Sequence, residues 1–215
     1  MRAIIFGGDD LIHIQEYDGI SYKEWDKTTG PIVKLRASLR KHYLAEQSFR
    51  CAYCRQEKKE RHGMAWDVEH IIPKATHARF LYEPLNLAMA CKECNIAKGD
   101  TNVLKKKLRA NQGLPTESDE YIIIHPHHDR YSDHIEITRV NGKVAHRPKN
   151  KHKAKETFII CDLIRFSYEF AEWDDFDCAI AEEFGRFIER CPPTATPQQI
   201  GDFIKTLRFR LEADF

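Results

Sequence analysis

Two Cys-x-x-Cys pairs, Cys51/Cys54 and Cys91/Cys94, restrict this chain more than any other feature. Each pair places two thiolates within reach of one ion, and two pairs complete a tetrahedral four-thiolate shell of the kind that holds structural zinc. The chain between them must therefore fold back so that the pairs meet. A redox role for either pair has less support, because neither sits in a βαβ pattern. The plain alternative is a zinc ribbon that only braces a loop. Of the seven cysteines, Cys161, Cys178 and Cys191 remain, separated and without pattern. They read as reduced core or surface thiols, in keeping with a cytoplasmic protein.

A brace leaves the intervening residues unexplained. They run Asp67-Val-Glu-His-Ile-Ile-Pro73, then Leu85-Asn-Leu-Ala-Met-Ala-Cys91, with Asn95 directly after the last cysteine and Lys98 three residues further on. This stretch resembles the HNH endonucleases, nucleases with a ββα-metal core. The family's first signature residue is a His preceded by an acid, here Glu69-His70. Its second is an Asn ahead of a short apolar strand, here Asn86. Its third opens a helix after the last cysteine, here Asn95, which makes this the HNN variant. The acid before the His is usually Asp in the family. Here it is Glu, whose longer arm still reaches an ion.

Phosphodiester hydrolysis needs an activated water, a counter-charge for the crowded phosphorane and help for the leaving oxygen. A neutral imidazole takes a proton from water near pH 7, which suits His70 as general base. Glu69 and the side-chain carbonyl of Asn95 are hard oxygen ligands, suited to a catalytic Mg2+ or Mn2+, whereas the four cysteines suit structural Zn2+. The resemblance implies that Asn86 holds the loop and orients His70, and that Lys98 supports phosphate or product charge. It also implies DNA as substrate, with 5′-phosphate and 3′-hydroxyl ends as products.

The rest of the chain reads as a frame for this core, and the fold class is α+β. Residues 1–48 form an N-terminal arm and helix, 49–110 the nuclease core, and 111–215 an extension of strands followed by helices. Arg2 to Phe6 is a short strand-like run. From Pro31, Ile32, Leu35, Leu39 and Tyr43 recur at helical spacing behind a Gly-Pro entry. Lys34, Arg36, Arg40, Lys41 and His42 on that helix form either a solvated face or a phosphate-contacting one. The core strands are expected at Ala65–Glu69 and Leu87–Ala90, with a helix from about Lys92 to a stop at Gly99. The loop between the strands carries Lys74 and Arg79.

Beyond the core, Tyr121–Ile124 and Ile135–Val140 read as strands. Between and beyond them lie His125 to Asp129 and His134, either a second metal site or a strand end with a polar loop. Lys105–Arg109 and Lys143–Lys155 are basic runs open to phosphate. A helix is expected from Ala154 through Phe158, Ile159, Leu163, Phe166 and Phe170, then an acidic helical stretch from Glu172 to Glu189, and a final helix after Pro197. The net charge of +1 does not by itself mark a nucleic-acid binder. No apolar run reaches membrane length. The opening Met-Arg-Ala-Ile, the Glu46-Gln47 before the first cysteine pair and the helical tail are similar to HNH nucleases of bacterial anti-phage systems. Those of the Septu and retron-associated type imply a defence effector with an ATPase partner docked on the C-terminal helices. The different-class alternative is a zinc-ribbon nucleic-acid-binding module with a degenerate nuclease site.

Overall fold

The apolar stripe behind Pro31 folds into the longest helix described. In the computed structural model, residues 1–140, 143–149, 151–168 and Thr196 are described. Helix α1 spans Gly8–Gln15 and buries no side chain, whereas α2 spans Pro31–Glu46 and buries Ile32, Leu35, Leu39, Tyr43 and Leu44. Gly30 enters α2 at φ 83°, a left-handed value that favours glycine, and Pro31 then supplies a pre-set helical φ. Each fully buried leucine on this stripe contributes about 1.5–3 kcal/mol over an exposed one.

Strands β1 (Trp66–His70) and β2 (Leu87–Cys91) pair antiparallel, with Trp66 opposite Cys91 and His70 opposite Leu87. All five residues of β2 are buried. Helix α3 (Lys92–Lys98) starts on the residue after β2 and stops at Gly99, whose φ is 48°. A second antiparallel pair, β3 (Ile135–Val140) and β4 (Lys143–Pro148), precedes α4 (His152–Ile160) and α5 (Arg165–Tyr168). The architecture is thus mixed, with two two-stranded sheets among helices.

Side chains replace backbone pairing at several points. The arm Arg2–Phe6 forms no strand: the Arg2 N–H and guanidinium donate to Glu46, and Ile4 N–H donates to the Tyr43 hydroxyl at 3.2 Å. Tyr121–Ile124 also forms no strand beyond one bridge between Tyr121 and Leu104. Ile122 N–H donates to the Val103 carbonyl at 2.8 Å, and Ile124 N–H donates instead to the Thr157 hydroxyl of α4 at 2.8 Å, so backbone pairing gives way to a side chain within the run. The helix expected through Phe166 breaks after Ile160, because Asp162 adopts φ 48°. Ile159 lies outward, 70% exposed, while Leu163 and Phe166 are buried. Phe170, the Glu172–Glu189 stretch, Cys178, Cys191 and the helix after Pro197 lie outside the described residues. Contacts divide the chain into Met1–Tyr168 and Glu169–Phe215. Among the described residues no helix is long and apolar enough to cross a membrane.

Gln47, just past α2, does the work of a neighbouring strand for β2. Its amide oxygen accepts the Met89 N–H at 2.7 Å, and its amide nitrogen donates to Met89 O at 2.8 Å and Arg50 O at 2.7 Å. Gln47→Ala leaves the Met89 N–H unpaired in a buried strand. The expected loss is about 1–3 kcal/mol in urea unfolding, and an unchanged midpoint would show that β2 does not depend on this clamp.

Candidate active site

The two cysteine pairs meet. Cys51, Cys54, Cys91 and Cys94 are all buried, and their sulfurs lie within 4.8 Å of one another. Cys91 closes β2 and Cys94 falls in the first turn of α3, so the helix turn itself sets the second pair's spacing. Cys54 Sγ and Cys91 Sγ are 3.8 Å apart, and a tetrahedron with zinc–sulfur bonds of about 2.3 Å has an edge of about 3.8 Å. The surroundings suit thiolates. Backbone N–H groups of Tyr53 and Cys91 point at Cys51 Sγ at 3.4 and 3.3 Å, and the Arg165 guanidinium donates to Cys94 Sγ at 3.0 Å. The cluster is compatible with zinc, and among the described residues no second set of three or more His, Cys, Asp and Glu ligand atoms lies this close together.

The cysteine cluster sets α3 against one face of β1. Asp67 and Glu69, two apart on the strand, share that face, while Lys92, Asn95 and Lys98, three apart on the helix, share the facing stripe. Asn95 Nδ2 donates to Asp67 Oδ2 at 2.8 Å, and Lys92 Nζ bonds the other Asp67 oxygen. Lys98 Nζ lies 2.6 Å from Glu69 Oε1, with both side chains under 5% exposed, and it also donates to the His70 carbonyl at 3.1 Å. Tyr53 OH donates to the same Glu69 oxygen at 2.9 Å. Burial pushes the Glu69 carboxyl above its usual range, and Lys98 and Tyr53 oppose that. The ammonium of Lys98 therefore faces Glu69, where the sequence reading turned it toward phosphate.

His70 faces the other way. Its Nε2 lies 3.1 Å from the Leu81 carbonyl, which can only accept, so Nε2 carries the proton and Nδ1 keeps its lone pair. Burial lowers the imidazole pKa to about 3, with the Leu81 carbonyl opposing and Lys74 and Lys98 adding to the depression. The ring is neutral at pH 7. Trp25 packs edge-on against it, ring centroids 4.5 Å apart, and Trp25 is fixed by Arg36, which donates to Trp25 O at 2.9 Å. The loop that delivers Leu81 is tied by Asn86, fully buried. Asn86 Oδ1 accepts Ile72 N–H at 2.7 Å, and its Nδ2 donates to Ile72 O and Phe80 O.

Asp67, Glu69, His70 and Asn95 line one cleft of about 640 Å³, whose other wall includes Trp25, Arg40 and Lys74. Lys74 bonds Asp26 at 3.1 Å, and Arg79 donates to Arg109 O at 3.4 Å. Lys105, Lys106, Lys107 and Arg109 line a separate cavity of about 930 Å³. The Lys143–Lys155 run is not a uniform cationic surface, because Lys149 donates to Ser132 O and the buried Lys153 pairs with Asp129. The histidines after Ile124 pack structurally: His125 stacks on His128 at 4.0 Å, and His127 Nε2 meets the Leu87 carbonyl at 2.8 Å.

Sequence reasoning passed over Asp67, Tyr53 and Arg165. The two-residue strand period placed Asp67 beside Glu69 and could have found it. Nothing in the sequence marks Arg165, which arrives from a distant element. Residues 51–101 match the family model described as HNH endonuclease. No curated protein and no solved structure matches the chain. Residues 51–101 thus form an HNH endonuclease domain.

Removing one thiolate tests the cluster. Wild-type protein should carry about one zinc per chain by elemental analysis. Cys91→Ser should lose most of it and melt at least about 10 °C lower, because binding energy at a structural zinc is folding energy. A zinc-free protein with the same melting temperature would remove the brace from the account.

Proposed function

We propose that this protein is a metal-dependent endonuclease that hydrolyses phosphodiester bonds of DNA. The observation that carries the reading is the placement of His70, whose Nε2 is engaged by the Leu81 carbonyl and which lines the same cleft as Asp67 and Asn95. A neutral imidazole held in one tautomer is suited to take a proton from water. Asn86 positions it indirectly, by fixing the loop that presents Leu81. Trp25 excludes water from the ring's flank.

Asn95, with Glu69 and the neighbouring Asp67, supplies the hard oxygen donors that suit Mg2+ or Mn2+. Such an ion, when bound, offsets charge on the phosphoryl and leaving oxygens. Lys98 holds Glu69 against its burial and anchors the His70 carbonyl, so it keeps the acid and the base in register. The resemblance to anti-phage nucleases, carried by residues outside the matched domain, extends the proposal to a defence effector with an ATPase partner. One observation favours the alternative, a zinc-ribbon nucleic-acid binder with a degenerate site: Glu69 is already satisfied by Lys98 and Tyr53.

Plasmid cleavage separates the two. His70→Ala should cut about 10²–10⁴-fold more slowly while keeping zinc, melting temperature and DNA binding. Asn95→Ala should also be slow but partly rescued by raised Mn2+, which His70→Ala should not be, and Glu69→Asp should keep part of the activity. Full-rate cleavage by His70→Ala, with an EDTA control, would eliminate this mechanism. DNA binding without cleavage by the wild type under every metal would establish the binder instead.

A further inference from the structure

Arg40 lies on α2, outside the matched residues 51–101, yet it lines the cleft with His70, Asp67 and Asn95. Its Nε is buried with no hydrogen-bond partner, and its guanidinium has no ion-pair partner among the described residues. The other cations lining this cleft are engaged. Arg36 donates to Trp25 O at 2.9 Å and Lys27 O at 2.7 Å, and Lys74 bonds Asp26. Packing locates the free end of Arg40, since a Cβ added at Gly63 would sit 3.1 Å from Nη2. A buried N–H donor left unpaired is unfavourable, so this guanidinium lacks the acceptors that would offset its desolvation.

We infer that Arg40 binds the phosphodiester drawn into this cleft, forking onto its non-bridging oxygens and countering the charge that builds there during hydrolysis. The planar guanidinium matches two phosphate oxygens at once, which an ammonium cannot do. The inference rests on the nuclease reading and adds a substrate-contacting residue from outside the ββα core. A purely structural Arg40 would act through its stem, packed over apolar neighbours. Arg40→Met keeps that stem and removes the charge, so the two roles separate.

The test measures binding of a short DNA duplex in EDTA across a salt series, and kcat for cleavage with Mg2+ or Mn2+. Zinc content and melting temperature are checked on each variant. Arg40→Met should make the slope of log K against log salt shallower by about 0.9, one phosphate contact, and lower kcat about 100-fold. Arg40→Lys should restore the slope but only part of kcat, because the point charge survives without the fork. Lys23→Ala, at an exposed lysine that does not line the cleft, should match the wild type in both. If the wild type binds and cuts but Arg40→Met keeps both slope and rate, this inference fails and the nuclease reading stands. If Arg40→Met does not fold, Arg40→Lys decides, and wild-type kcat in that variant overturns the inference. A wild type that neither binds nor cuts duplex DNA overturns both.

Discussion

The convergence of four thiolates on one point governs the rest of this structure. A two-stranded sheet is marginal in water, and so is a seven-residue helix, yet β1, β2 and α3 are the elements that carry Asp67, Glu69, His70, Asn95 and Lys98. Cys91 and Cys94 belong to the strand–helix junction, while Cys51 and Cys54 come from the turn after α2. Joining them holds the helix over the strand. The facing stripes of α3 and β1 then meet in a single register.

Around that joint, buried polar side chains stand in for missing backbone partners. Gln47 serves the outer edge of β2, Asn86 closes the loop after β1, and Lys98 bridges a carboxylate and a carbonyl. Each sits in a region of low exposure where an unpaired group would be costly. The buried Lys98–Glu69 pair need not add much net stability, since desolvation of both charges offsets their attraction. Its structural effect is directional: it joins the end of β1 to the last turn of α3.

Much of the core was legible in the sequence because periodicity and spacing act locally. The α2 stripe, the strand ends near His70 and Cys91, the start of α3 and the glycine stop all follow from pattern and turn chemistry. The readings that differed depended on what lay opposite in space. Arg2–Phe6 looks like a strand until Glu46 and Tyr43 take its N–H groups. Tyr121–Ile124 has strand composition, but the Thr157 hydroxyl receives one of its N–H groups. Lys98 is a lysine near a helix end by sequence, and only the fold reveals that Glu69 lies beneath it. The same holds for Lys153, buried against Asp129 in a run that reads as surface.

Tyr53 occupies the middle of the first cysteine pair, and its hydroxyl reaches across to Glu69. The turn that gathers sulfur and the donor that satisfies the buried acid are one short piece of chain. The two centres are therefore coupled: without the first cysteine turn in place, the carboxylate lacks one of its hydrogen-bond donors in an environment that disfavours its charge. A distortion of the first cysteine turn thus carries over to a buried carboxylate that is not part of the sulfur cluster.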